Sequence, residues 1–278
     1  MRVEQQARQM VGGWRQRVEE STAQRRMRRR LRAWVALAPS PQPLQISTRV
    51  RTTVIIPCYN HAQHLPFAIQ SLREQTLGDF DSVFVNDYSS DETDELLPGL
   101  ADSLRHKGTV TIVRHQRNWG QAAALNAGIR LARTPLITIL NDDDWLMPHA
   151  LKTLVEIFRV TPELGLVGAG SLHFSGLGIP VSRHDTNVEL IFTQRWDPSR
   201  TRTIRRYSDF NMTHSGMTLS RAAWQSVGGY RSDVKQRIVK FSDRDIQLRI
   251  GTLYPIALID QPLVWWRADS SVDAGLNS

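Results

Sequence analysis

Three consecutive carboxylates, Asp142, Asp143 and Asp144, follow an apolar run of strand type in LITILNDDDWLMP, residues 136–148. Adjacent like charges raise one another's pKa unless a cation or solvent relieves the repulsion. A divalent ion supplies that relief, because Mg2+ and Mn2+ prefer oxygen ligands and Mg2+ is commonly held by one or two carboxylates plus substrate phosphates. The turn therefore suits a metal–diphosphate complex. It reads equally well as a solvated lead-in to a helix starting near Pro148, whose dipole favours carboxylates at its N-terminus. Other chemistry-bearing residues carry less. Cys58, the single cysteine, ends the apolar run VIIPC and reads as a packed thiol, and it permits no intrachain disulfide. His61 and His64 flank a helix start and read as surface or capping residues; His173, His184 and His214 are too scattered to form a ligand pattern. Trp265 and Trp266 read as core or rim residues of a strand end.

The elements that would position these groups alternate from residue 50 onward. RTTVIIP reads as a buried strand, LPFAIQSLREQ as a helix, FDSVFVND as a strand, and SSDETDELLPGLADSL as a helix that opens with a capping-box spacing from Ser89 to Glu92. TVTIVRH, QAAALNAGIRLA and LITIL continue the pattern as strand, helix and strand. Alternation with short connections implies right-handed crossovers and an α/β fold with a mostly parallel sheet flanked by helices. In such sheets ligands bind beyond the carboxyl ends of the strands, where DYSS, RNWG and NDDDW all fall. After about residue 172 the alternation breaks down into an irregular stretch suited to shaping a binding face.

The 278 residues carry a net charge of +8, but residues 1–51 hold twelve arginines against three glutamates, a net +9, which leaves −1 for the rest. The basic charge belongs to an extension, and a body at −1 offers no continuous phosphate-tracking surface, so nucleic acid is not expected as a partner. Val3, Ala7, Met10, Trp14 and Val18 recur at helical spacing among arginines, and Met27, Leu31 and Trp34 continue the apolar face. A basic amphipathic helix on an anionic membrane surface and a helix packed on protein fit this pattern equally. APSPQPLQ, residues 38–45, reads as a linker. No apolar run approaches the ~18 residues that span a bilayer, so the expected location is cytoplasmic, with the arm peripheral on the inner membrane face.

VIIPCYNHAQHLPFAIQSLREQT, FVNDYSSDET, NWGQAAALNAGIRLARTPLITILNDDDWLMPHAL, VGGYRSDV and FSDRDIQLRI, in this order, resemble the family-2 glycosyltransferases. The resemblance covers roughly residues 50–270 and excludes the basic arm. It implies a GT-A-like, Rossmann-type fold, to which charge and spacing add a basic helical N-terminal extension: residues 1–45 as extension and linker, 46–170 as the donor-binding half, 171–278 as the acceptor-binding and catalytic half of one domain. It implies an inverting transferase that uses Mn2+ or Mg2+ and moves a sugar from a nucleoside-diphosphate sugar, a UDP-sugar by resemblance, to a hydroxyl of a glycan or lipid-linked saccharide. Pro57, Tyr59 and Asn60 then border the nucleobase, Asp87 accepts a hydrogen bond from it, and Asn118, Gly120 and Asn126 occupy the donor-binding loop and following helix. Asp142 approaches the ribose or the metal, Asp143 binds the metal, Asp144 is the accessory acid and Asp269 a further metal ligand. Asp243 matches the general base, and Arg267 reads as a diphosphate partner or a structural ion pair.

Asn86, Asn141 and Ser242 stand where the family usually has acid. Two other readings stay open on the sequence: an inactive relative that only binds nucleotide-sugars or glycans, and a nucleic-acid-binding protein acting through the arginine arm.

Overall fold

A computed structural model describes residues 50–176, 189–191, 212–232 and 242–268. The basic extension, Asp269 and most of the irregular stretch lie outside the described residues. The chain order is β1 (Thr52–Cys58), α1 (Leu65–Arg73), β2 (Asp81–Asn86), α2 (Thr93–Asp102), β3 (Val110–Arg114), α3 (Gln121–Leu131), β4 (Leu136–Ile139), β5 (Trp145–Leu146), α4 (Ala150–Val160), β6 (Leu166–Phe174), β7 (Glu189–Ile191), β8 (Thr218–Ser220), α5 (Arg221–Ser226), α6 (Ser242–Leu253) and β9 (Ile256–Arg267).

One sheet runs β3-β2-β1-β4-β8-β6-β9-β5, with β7 paired to β6. The pairs β3/β2, β2/β1, β1/β4 and β6/β9 are parallel. Because β8 is antiparallel to both β4 and β6, β6 and β9 point the same way as β1 to β4. Six of the described strands thus share one direction, and β5, β7 and β8 oppose it. The sheet is mostly parallel, as the alternation predicts.

β1 is buried along its whole length, which explains its continuous apolar sequence. Successive side chains point to opposite faces: Val54, Ile56 and Cys58 join the core with α1, α2 and α4, while Ile55 joins the second core with α3, α5 and α6. The Cys58 thiol is buried, and burial raises its pKa well above the ordinary thiol value, as befits a packed residue. Buried hydroxyls in the sheet are paired across strands: Thr52 to Thr138 and Thr138 to Thr218 at 2.9 Å each. α3 can lie close to the sheet because Gly128 faces Ile55 and Val85; a Cβ there would meet Ile55 Cγ2 at 2.7 Å.

The capping box expected from Ser89 and Glu92 does not form. α2 begins at Thr93 and makes no side-chain cap bond from Glu92. Instead Asp91 accepts the Thr93 N–H at 3.1 Å and the Ala62 N–H at 2.8 Å. Ser89 lies too early in the turn, and its hydroxyl accepts the Asn60 N–H at 3.1 Å, tying two turns together.

Candidate active site

The turns after β1, β2, β3 and β4 all lie at the carboxyl edge of the sheet, because those strands are parallel. The first turn carries Pro57, buried at the end of β1, then Tyr59 and Asn60, both exposed. Asn60 has φ +55°, a left-handed conformation that Asn tolerates better than most residues. Its side-chain oxygen accepts the Ser90 N–H at 2.7 Å, so this turn is held against the one that follows β2. Tyr88 in that second turn also has a positive φ, +67°, and is exposed.

Asp87, expected on a nucleobase, is buried and already engaged. One oxygen accepts His115 Nδ1 at 2.6 Å and the Trp119 N–H at 3.0 Å; the other accepts the Gly120 N–H at 2.7 Å. It therefore clamps the loop after β3. Asn118 adds to the same loop by accepting the Gly120 N–H at 2.8 Å, and Gly120 supplies the φ of +85° that opens α3. Asn126 sits farther away: its amide bonds both the carbonyl and the N–H of Tyr230, at 2.7 and 2.9 Å. That position staples α3 to the Gly228–Gly229 turn and leaves Asn126 away from the loop after β3. Beside this loop an open cavity of about 560 Å3 is lined by Arg114, Arg117 and Trp119 among others, with the Arg117 guanidinium 3.5 Å from the Trp119 ring centroid.

The three adjacent aspartates do not share one environment. Asp142 is buried; one oxygen accepts the Tyr59 N–H at 3.0 Å, and the other lies 2.9 Å from His61 Nδ1. Burial raises the Asp142 pKa, against the stabilising pull of His61. Burial would lower the His61 pKa, but its hydrogen bond to Asp142 and the charges of Asp142, Asp143 and Asp91 prevail and push it up to about 9. Asp144 is buried with its oxygens committed to the Arg267 N–H at 2.9 Å, the Ser215 hydroxyl and the Asn141 amide. Burial, with the Asp143 charge behind it, raises its carboxyl well above the usual range. Asp144, expected as an accessory metal acid, thus faces the protein interior. Asp143 stays half-buried between them. Donor atoms of His61, Asp142 and Asp143 lie within 4.8 Å of one another, a set able to hold a divalent cation.

Asn141 is explained by its neighbours. Its amide accepts from Gln121 at 2.9 Å and donates to Asp144 at 3.3 Å, and a carboxylate could not make the second bond. Arg267 donates Nε to the Asp143 carbonyl at 3.1 Å and lies over the Phe174 ring at 4.4 Å. Asp243 is half-buried in the first turn of α6, where its charge acts on the buried pair His214 and Tyr230, whose side chains are 2.9 Å apart. His214 adjoins Ser215, so one short loop connects the surroundings of Asp243 with Asp144. Asp269 lies outside the described residues.

From the sequence alone His61 reads as a surface or capping residue, and His115, Ser215 and Gln121 do not stand out. His115 carried a usable signal, because it ends a predicted strand at the ligand-binding edge. Ser215 and Gln121 carried none: their partners, Asp144 and Asn141, are 71 and 20 residues away.

Residues 53–227, more than half of the chain, match the family model described as glycosyl transferase family 2. The chain belongs to that family. Among curated relatives of this glycosyltransferase are an uncharacterized glycosyltransferase of Nostoc sp., 33% identical over 118 residues, 42% of this chain and 36% of that one, and the succinoglycan biosynthesis protein ExoO of Rhizobium meliloti, 33% identical over 37% of this chain and 28% of that one. The first relatives are matched over about a third of their length. Similar solved structures include S. aureus TarS in complex with UDP, with TM-score 0.58 and 16% identity over 79% of this chain and 61% of that one. The mannosyltransferase PcManGT of Pyrobaculum calidifontis, in complex with GDP-Man and Mn2+, has TM-score 0.57 and 19% identity over 87% and 63%. The chain therefore has the GT-A fold. Among the described residues no helix is long and apolar enough to cross a membrane.

Proposed function

We propose that this glycosyltransferase is an inverting, metal-dependent enzyme that transfers a sugar from a UDP-sugar to a hydroxyl of a glycan or lipid-linked saccharide. The observation that carries the reading is the convergence of Asp142 and Asp143 with the Tyr59–Asn60 and Asp87–Ser89 turns at the carboxyl edge of one parallel sheet. Two of the similar structures support a nucleotide donor: TarS is found with UDP, and PcManGT with GDP-Man and Mn2+.

In this reading residues 46–170 form the donor half and residues 171–278 the acceptor half. Tyr59 and Asn60 border the base with Pro57 behind them, while Asp87 acts on the donor by holding Trp119 and Gly120 in place. Asp142 and Asp143 hold Mn2+ or Mg2+, which when bound neutralises the negative charge of the leaving diphosphate. Asp243 accepts the proton of the acceptor hydroxyl as its oxygen bonds to the anomeric carbon and the carbon–oxygen bond to the diphosphate breaks on the opposite face. Asp144 and Arg267 keep the acidic turn rigid. The basic arm places the enzyme on an anionic membrane that displays the acceptor; deletion of residues 1–45 is expected to abolish co-sedimentation with anionic vesicles and to leave UDP binding intact.

Calorimetric titration of UDP and GDP, each with Mn2+ and with EDTA, tests the donor site. UDP binding that requires the metal and is lost in Asp143→Ala is the expected result. Absence of nucleotide binding under every condition would refute the reading. Transfer activity that survives in Asp243→Asn would remove Asp243 as the base.

A further inference from the structure

We infer that His61 is an imidazole ligand of the catalytic cation and makes this site select Mn2+ over Mg2+. The inference rests on the metal–donor reading proposed above and concerns which atoms hold the ion.

Asn141 stands where family-2 enzymes usually have a carboxylate, and its amide is committed to Gln121 and Asp144. Asp144 is likewise committed, to Arg267, Ser215 and Asn141. The acidic turn therefore presents fewer oxygen ligands than its sequence suggests. His61 approaches from the other side of the turn, on the segment between β1 and α1. Two neighbouring ligands of an octahedral ion with bonds of about 2.1 Å lie about 3.0 Å apart. His61 Nδ1 and Asp142 Oδ1 are hydrogen-bonded at 2.9 Å, which is also the spacing of one such edge, and a cation that binds there releases the proton between them.

The supporting bonds fix that edge. The Tyr59 N–H holds the second Asp142 oxygen at 3.0 Å, which directs the first towards His61 and Asp143. The His61 carbonyl accepts the N–H groups of His64 and Leu65 at 2.9 and 3.0 Å, anchoring the segment at the start of α1. Outer bonds of this kind hold metal ligands in position. The resulting set is one imidazole nitrogen and two carboxylates, with the remaining positions available to phosphate oxygens and water. Both ions prefer oxygen, but Mg2+ demands a near-ideal oxygen octahedron and releases its water reluctantly, whereas Mn2+, the first of the transition series, tolerates an imidazole nitrogen better. A nitrogen in the first coordination sphere therefore favours Mn2+.

The experiment is electron spin-echo envelope modulation on the full chain with Mn2+ and UDP, repeated on protein labelled with 15N-histidine and on His61→Gln, alongside calorimetric Mn2+ and Mg2+ titrations. Expected is a directly coordinated nitrogen that changes signature on histidine labelling and disappears in His61→Gln. Mn2+ binding should weaken by at least roughly 10-fold in the variant, the lower end of what disturbing a metal's surroundings costs, with a smaller loss for Mg2+. If Mn2+ and UDP bind without nitrogen coupling, or bind equally well to the variant, His61 is only the hydrogen-bond partner of Asp142 and the donor reading stands. If the unaltered chain binds UDP with Mg2+ but not with Mn2+, the inference fails and the donor reading stands; if it binds UDP with neither ion, both fail. The spectrum of the unaltered chain decides the question even if the variant folds poorly.

Discussion

Asp144 shows how far a residue's neighbours in sequence can mislead about its work. As one of three consecutive acids it reads as a metal ligand, yet its carboxylate is buried against the Arg267 N–H, Ser215 and Asn141. Removing it strands buried donors, at roughly 1–3 kcal/mol each. Asp144→Ala is therefore expected to lower the thermal midpoint by several degrees, about 2–4 °C per kcal/mol for a chain of this size. Asp143→Ala is expected to lower the midpoint less than Asp144→Ala while abolishing metal-dependent UDP binding. Equal midpoints for the two variants in thermal denaturation would contradict this division. Asp87 carries the same lesson: its type and place were readable, but its bonds to His115, Trp119 and Gly120 make it a clamp on the loop after β3.

The elements were predictable wherever hydrophobic period and length agreed, as in β1 to β4 and the helices between them. What holds the later elements together was not. Arg249 on α6 is buried; it pairs with Asp245 and donates to the carbonyls of Val227 and Gly229, so one guanidinium joins α6 to the Gly-Gly turn. Asp245→Ala leaves that guanidinium without its buried partner, and breaking such a pair costs about 3–5 kcal/mol. Urea unfolding is expected to show that loss, and a change under about 1 kcal/mol would mean that the pair is unimportant, as for an exposed one. α3 tolerates little at Gly128, where Ile55 leaves no room for a Cβ. Gly128→Ala is expected to cost about 1–3 kcal/mol by overpacking in the same assay.

At the scale of the whole molecule, acid stability should depend on His173, which packs on Trp266 with ring centroids 4.1 Å apart. Burial lowers its pKa from 6.5 to about 4. Between these values the unfolded chain binds more protons than the folded one, so the contribution is complete above pH 6.5 and is lost as pH falls towards 4. Thermal midpoints of the unaltered protein should thus fall more steeply than those of His173→Phe between these limits; parallel curves would exclude the effect. The sequence by itself determined the alternation of strands and helices, the mostly parallel sheet and the edge where the site lies, because hydrophobic period and short connections act over a few residues. Ordered motifs across the chain likewise disclosed the family. Only the tertiary structure parted the three aspartates, turned Asn126 towards Tyr230 and brought His61 to Asp142, 81 residues away. A carboxylate's role depends on which donors reach it and how much water remains, and both are decided by segments far apart in the chain.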